Sequence, residues 1–101
     1  MAELVIVYWR DIPAQVMARQ GRKAERRELP RQFIQAIDRT AMRVGARDSD
    51  AYLAEWRRGA PEPCGDDLAA EADAAEARLI AEYDRARLDL LVEQDGWAQP
   101  K

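Results

Sequence analysis

The chain has 101 residues and a formal net charge of −3, with no histidine and one cysteine, Cys64; its only serine, threonine and lysines are Ser49, Thr40, Lys23 and Lys101. That length is one domain with a modest core, and the shortage of His, Ser, Thr and Lys removes the side chains that do most acid–base, nucleophilic and metal-ligating work near neutral pH. One thiol excludes an internal disulfide and a multi-cysteine metal site, so the expectation is a protein with no catalytic residues, no metal and no cofactor of its own, not an enzyme when isolated.

"LVIVYW", Leu4 to Trp9, is short, β-branched and aromatic, which predicts a strand. Alternation sets Leu4, Ile6 and Tyr8 on one face and Val5, Val7 and Trp9 on the other, so both faces are apolar and each needs a cover, a helix or a partner. Pro13 has no amide hydrogen and Ile12 before it is pushed toward extended geometry, so "RDIP" reads as a turn or irregular strand edge. "AQVMARQ" resumes extended character, Gly21 supplies a turn, and "KAERREL" alternates again. Residues 3 to 29 therefore predict a three-stranded antiparallel meander whose third strand, being so polar, is exposed on one face.

Pro30 fits the start of a helix in which Phe33, Ile37, Ala41 and Val44 keep one side, with Gly45 at its stop and Leu29 as an N-terminal staple. "RDSDAYLAEWRRG" predicts a second, shorter helix, capped by Asp48 or Ser49, lined by Tyr52, Leu53 and Trp56 and ended by Gly59. "GAPEPCGDD", residues 59 to 67, reads as a linker. From Leu68 to about residue 95 the stripe Leu68, Ala72, Ala75, Leu79, Tyr83, Ala86 and Leu90 predicts one long acidic helix, with surface pairs Glu82–Arg85 and Arg85–Asp89. Gly96 and Trp97 suggest a Schellman ending with the indole folded back on Val92. Such a helix rises about 40 Å, long for a domain whose radius of gyration is near ~13 Å, so part of it either projects, packs on another chain or lies along the whole fold. The fold class is α+β in a single domain: an α+β region over 1–58, the linker 59–67 and the acidic helix 68–95.

Charge is unevenly divided. Residues 1–58 hold twelve cationic against eight acidic side chains (+4), and residues 59–101 four against eleven (−7). This bipolarity suits an anionic partner, a basic partner, or attraction between the protein's own halves. The basic run Arg19, Arg22, Lys23, Arg26, Arg27 and Arg31 on the predicted hairpin could meet a phosphate backbone, but Glu25 and Glu28 interrupt it and no aromatic residue interleaves; a solvated, partly ion-paired face is the simpler reading. Trp9–Arg10 and Trp56–Arg57 repeat an indole beside a guanidinium, a cation–π pattern that serves either the fold or a partner. Cys64 sits beside Asp66 and Asp67, which oppose thiolate formation. No apolar run reaches the ~20 residues of a membrane span, and Met1–Val7 lacks the basic start and cleavage site of a signal peptide, so a cytosolic location without membrane contact is expected.

"YWRDIPAQV" (8–16), "LPRQFIQAIDRTAM" (29–42) and "DAYLAEWRRG" (50–59) together resemble the short bacterial proteins of the virulence factor family, whose domain is also associated with conserved virulence factor C. The similarity runs over about residues 3–59. Its typical positions are Trp9, Arg10, Asp11, Ile12, Pro13, Phe33, Ile37, Asp38, Asp50, Tyr52, Leu53 and Trp56. Phe33 and Ile37 need only a core explanation; Arg10, Asp11 and Asp38 ask for another. The resemblance implies no catalytic role, and it implies an accessory subunit of a folate-linked one-carbon enzyme as one alternative. The leading expectation is a small protein that works by binding another protein or a second copy of itself, through Trp9, Arg10, Asp11, Asp38, Tyr52, Trp56 and Arg57. Nucleic-acid binding by the hairpin 19–31 is the other alternative.

Overall fold

The computed structural model describes residues 2–46 and 50–99. Three strands open it, β1 (Glu3–Trp9), β2 (Ile12–Gln20) and β3 (Lys23–Glu28), an antiparallel meander as the alternation predicts. Helix α1 (Arg31–Arg43) follows, then a short α2 (Asp50–Ala54), strands β4 (Trp56–Arg58) and β5 (Glu62–Pro63), and helices α3 (Leu68–Glu82) and α4 (Arg85–Glu93). The fold is α+β, but the sheet has five strands rather than three, ordered β3-β2-β1-β4 with β5 also on β1. The proposed caps Asp48 and Ser49 lie outside the described residues.

Two expectations are corrected. The helix expected to reach Gly59 stops at Ala54, and "WRR" pairs antiparallel with Val7–Trp9 instead. The free edge of β1 offers unpaired N–H and C=O groups, and satisfying them outweighs the helical pattern of so short a segment. Gly59, expected as a helix terminator, donates its N–H to the Ile6 carbonyl, and a Cβ there would meet Tyr8 Cε2 at 3.0 Å. Beyond it, Glu62 and Pro63 pair with Leu4 and Glu3, and Cys64 N–H donates to the Ala2 carbonyl, so residues 59–64 of the expected linker run along β1.

The long acidic helix is the second correction. It breaks at Tyr83 and Asp84, where Asp84 turns extended (φ −68°, ψ 175°) and caps α4 by accepting from Arg87 N–H at 2.9 Å. The break lets α4 turn back onto α1, where Leu88, Leu91 and Val92 enter the core, while α3 crosses β2 and β3 with Ala72, Ala75 and Leu79 facing in. The expected Arg85–Asp89 pair gives way to Arg39–Asp89. The molecule measures 40 × 28 × 23 Å, and its longest dimension is no longer set by a single helix.

Register decides which residues share a face. Leu4 opposes Ala18 and Ile6 opposes Val16, and all four belong to the main core or pack on it beneath α3. Arg27, opposite Val16, reaches Asp73 of α3 at 2.7 Å. On the other face lie Val5, Val7, Gln15 and Met17. A β-bulge at Ala14 then slips the alternation, so that Trp9 opposes Ile12 and Tyr8 opposes Pro13. Pro13 is tolerated there because the ladder is already interrupted. Trp9, Ile12, Phe33 and Ile37 are the largest fully buried side chains of the core.

Candidate functional site

Arg10 and Asp11 form the two-residue turn between β1 and β2, and Arg10 has φ 55° at the first position, where hairpins usually place glycine. An arginine holds this left-handed backbone at a cost of roughly 1–2 kcal/mol, and its side chain supplies the offset. Arg10 Nε donates to Glu55 at 3.0 Å, Nη1 donates to the Asp95 carbonyl at 2.6 Å, and the guanidinium lies 5.2 Å from the ring centroids of both Trp9 and Trp97. Asp11 is spent in the same way. Its Oδ1 accepts from Arg57 Nη2 at 2.8 Å, its Oδ2 from Ala98 N–H at 2.8 Å, and its own N–H donates to the Gly96 carbonyl at 2.8 Å. The pair therefore fastens the C-terminal residues 95–98 and the α2–β4 segment to the turn, which gives both residues a folding role.

The sequence-selected residues divide accordingly. Trp9 is wholly buried, with its indole N–H donating to the Tyr52 carbonyl at 2.9 Å, and it supports the region from below. Tyr52 and Trp56 are half-buried and pack edge to face, 6.0 Å apart. Arg10, Asp11 and Arg57 line the surface with 16, 28 and 46% of their side chains exposed. Asp38 stands apart, on the exposed side of α1, with no ion pair among the described residues. The expected Trp9–Arg10 stack is present, whereas Arg57 stacks on Tyr8 at 4.5 Å and not on Trp56. Cross-strand pairing explains this, since Arg57 opposes Tyr8 and shares its face while Trp56 points to the other.

Sequence reasoning missed Glu55, Tyr83 and the tail. Trp97 takes the Arg10 guanidinium, a contact its expected place over Val92 does not predict, after Gly96 (φ 88°) turns the chain toward the β1–β2 turn. With Tyr8, Asp11, Arg57, Tyr83, Ala98 and Gln99 this indole lines an open cleft of about 500 Å³. Burial, then the neighbouring Tyr83, raises the Tyr8 phenol above its ordinary value, against a smaller lowering by Arg57, so it stays protonated and able to donate at neutral pH. Cys64 is likewise pushed up, first by burial and then by Glu71, Asp66 and Glu3, which disfavours the reactive thiolate. Among the described residues no group of His, Cys, Asp and Glu is placed to hold a metal ion, and no helix is long and apolar enough to cross a membrane.

The family model described as "Virulence factor" matches residues 7–92. The chain belongs to the virulence factor family. The match takes in α3 and nearly all of α4, beyond the motifs at 8–59 that carry the resemblance, so the acidic helices are part of the virulence factor domain itself. No curated protein and no solved structure matches the chain.

Proposed function

We propose that this virulence factor domain acts by binding another protein through the face of its sheet opposite α3. The observation that carries the reading is a groove of about 430 Å³ lined by Val7, Ala14, Ile34 and Trp56, with Gln15 and Glu28 at its edge. Ile34 is 41% exposed there, on a helix that buries Phe33, Ala36, Ile37 and Ala41 in the core. Val5 and Trp9 on this side of β1 are buried, and the groove opens at Val7 between them, beside Trp56.

Charge narrows the partner. Arg58 opposes Val7 and Arg26 opposes Met17, so both arginines stand on the groove's face, exposed and without an ion pair among the described residues. A fitting partner presents an amphipathic segment with apolar anchors flanked by carboxylates. An accessory subunit of a larger enzyme would be a special case of this mode. The basic hairpin gives less support to nucleic-acid binding, because Arg19 and Arg27 are engaged by Glu3, Glu25 and Asp73.

A photo-crosslinking residue at position 34 tests the reading in the native cell, with the same residue at exposed Ile80 of α3 as control. The expected result is one discrete heterologous adduct from position 34, absent from position 80 and several-fold weaker after Arg26→Glu with Arg58→Glu. No adduct, or equal adducts from both positions, overturns it; an adduct with a second copy of the chain replaces the heterologous partner by self-association.

A further inference from the structure

The opposite side of the same strand holds a second feature that neither the core nor the groove explains. Tyr8 faces away from Val7, and the cleft it lines gathers hydrogen-bond donors with no partner among the described residues. Arg57 spends Nε on the Arg10 carbonyl (3.0 Å) and Nη2 on Asp11, and among the described residues Nη1 makes no hydrogen bond. The hydroxyls of Tyr8 and Tyr83 also donate to no described residue. Both rings carry a guanidinium on their face, Arg57 over Tyr8 at 4.5 Å and Arg87 over Tyr83 at 4.2 Å.

Among the described residues that line the cleft Asp11 is the only carboxylate, and each of its oxygens accepts a hydrogen bond, one from Arg57 and one from Ala98. Three donors beside two stacked guanidinium groups favour an oxyanion as the bound group. The Trp97 indole and the Tyr8 ring add flat apolar walls that suit a planar body. Because the hydrogen bonds and the stack of Arg57 hold its guanidinium in place before anything binds, little ordering remains to be done on binding.

We infer that this cleft binds a carboxylate or phosphate oxyanion carried on a planar, apolar body, with Arg57 Nη1 and the Tyr8 and Tyr83 hydroxyls as donors and Trp97 as the stacking wall. A free aromatic acid and an aryl phosphate share this chemistry. The site stands on its own, on the face of β1 away from the groove, and its failure would leave the protein-binding reading untouched.

The test is a titration of the full chain with benzoate and with phenyl phosphate, followed by NMR at the Trp97 indole N–H and Arg57 Nε. Benzyl alcohol, acetate and inorganic phosphate serve as controls lacking either the charge or the ring. Binding on the order of 1 mM is expected for the better aromatic anion, with smaller shifts from each control; whether benzoate or phenyl phosphate binds better separates the two sources. Tyr8→Phe with Tyr83→Phe keeps both rings and removes both hydroxyls, and should weaken binding by about fivefold for each lost donor, with the rest of the spectrum unchanged. Absence of shifts at Trp97 and Arg57, equal binding of benzyl alcohol, or undiminished binding by the double phenylalanine variant overturns the assignment.

Discussion

Arg10 and Gly96 meet at the closest approach between the β1–β2 turn and the C-terminal segment, and each constrains the other. A Cβ on Gly96 would lie 3.0 Å from Arg10 Cδ, 3.2 Å from Arg10 Cβ and 3.2 Å from Thr40 Cγ2, on a backbone with φ 88° that side chains avoid. Thr40 cannot yield easily, being fully buried with its hydroxyl donating to the Ala36 carbonyl at 2.8 Å. Gly96→Ala should therefore cost about 1–3 kcal/mol from strain and crowding together, lowering the melting temperature by roughly 4–8 °C per kcal/mol. Thermal unfolding of the variant checks this, and an unchanged midpoint would mean that the tail is not seated against the turn. Sequence reasoning singled out Arg10 and Asp11 because no core explanation fitted them. Their partners Glu55, Asp95, Gly96 and Ala98 lie 45 to 87 residues away, and no local pattern points to a contact at that separation.

At the scale of the element, the break between α3 and α4 shows how far periodicity reaches. Spacings of three and four place Leu79, Tyr83, Ala86 and Leu90 on one side of an uninterrupted helix, yet Leu90 is half exposed and Leu88, Leu91 and Val92 are buried. Turning at Asp84 exchanges one long, partly unsupported stripe for two helices that each find a surface, which apolar burial favours over helical continuity. The cap keeps the turn in place. Asp84→Ala removes the acceptor for Arg87 N–H and should lower stability by about 1 kcal/mol, measured by chemical denaturation; Asp84→Asn, which still caps, should recover most of the loss. A variant as stable as the parent would assign the break to packing alone. The short α2 is the same lesson in reverse, since "EWRR" has no strand alternation of its own and becomes β4 only because β1 has an open edge.

Over the whole molecule, the division of charge between the two halves is answered largely within the fold. Arg27–Asp73, Arg39–Asp89 and Arg43–Asp95 each join the basic first half to the acidic second half, and Gln20 donates to Asp66 in the same direction. Such pairs guide the helices onto the sheet more than they hold them there, because exposed pairs contribute only about 0.2–1 kcal/mol each and are screened by salt. Arg39→Asp should thus destabilise slightly, and adding Asp89→Arg should restore most of the loss at low ionic strength but little at high; a double-mutant cycle at two salt concentrations measures it. Coupling that ignores salt would contradict an electrostatic origin. Arg26 and Arg58 remain outside this internal accounting, which is why they mark the groove's face.

By itself the sequence determined the meander, helix α1 with its Gly45 stop, and the apolar character of both faces of β1. Each of these is written in local periodicity, turn residues or β-branching. Only the tertiary structure decided that β4 and β5 extend the sheet, that the acidic helix bends back at Asp84, and that Arg10 and Asp11 clasp the tail. Those outcomes depend on which unpaired edge or uncovered surface lies within reach after the chain has collapsed. The groove at Trp56 and the cleft at Tyr8 belong to the second kind, since the pairing of β4 with β1 puts Trp56 and Arg57 on opposite sides of the sheet.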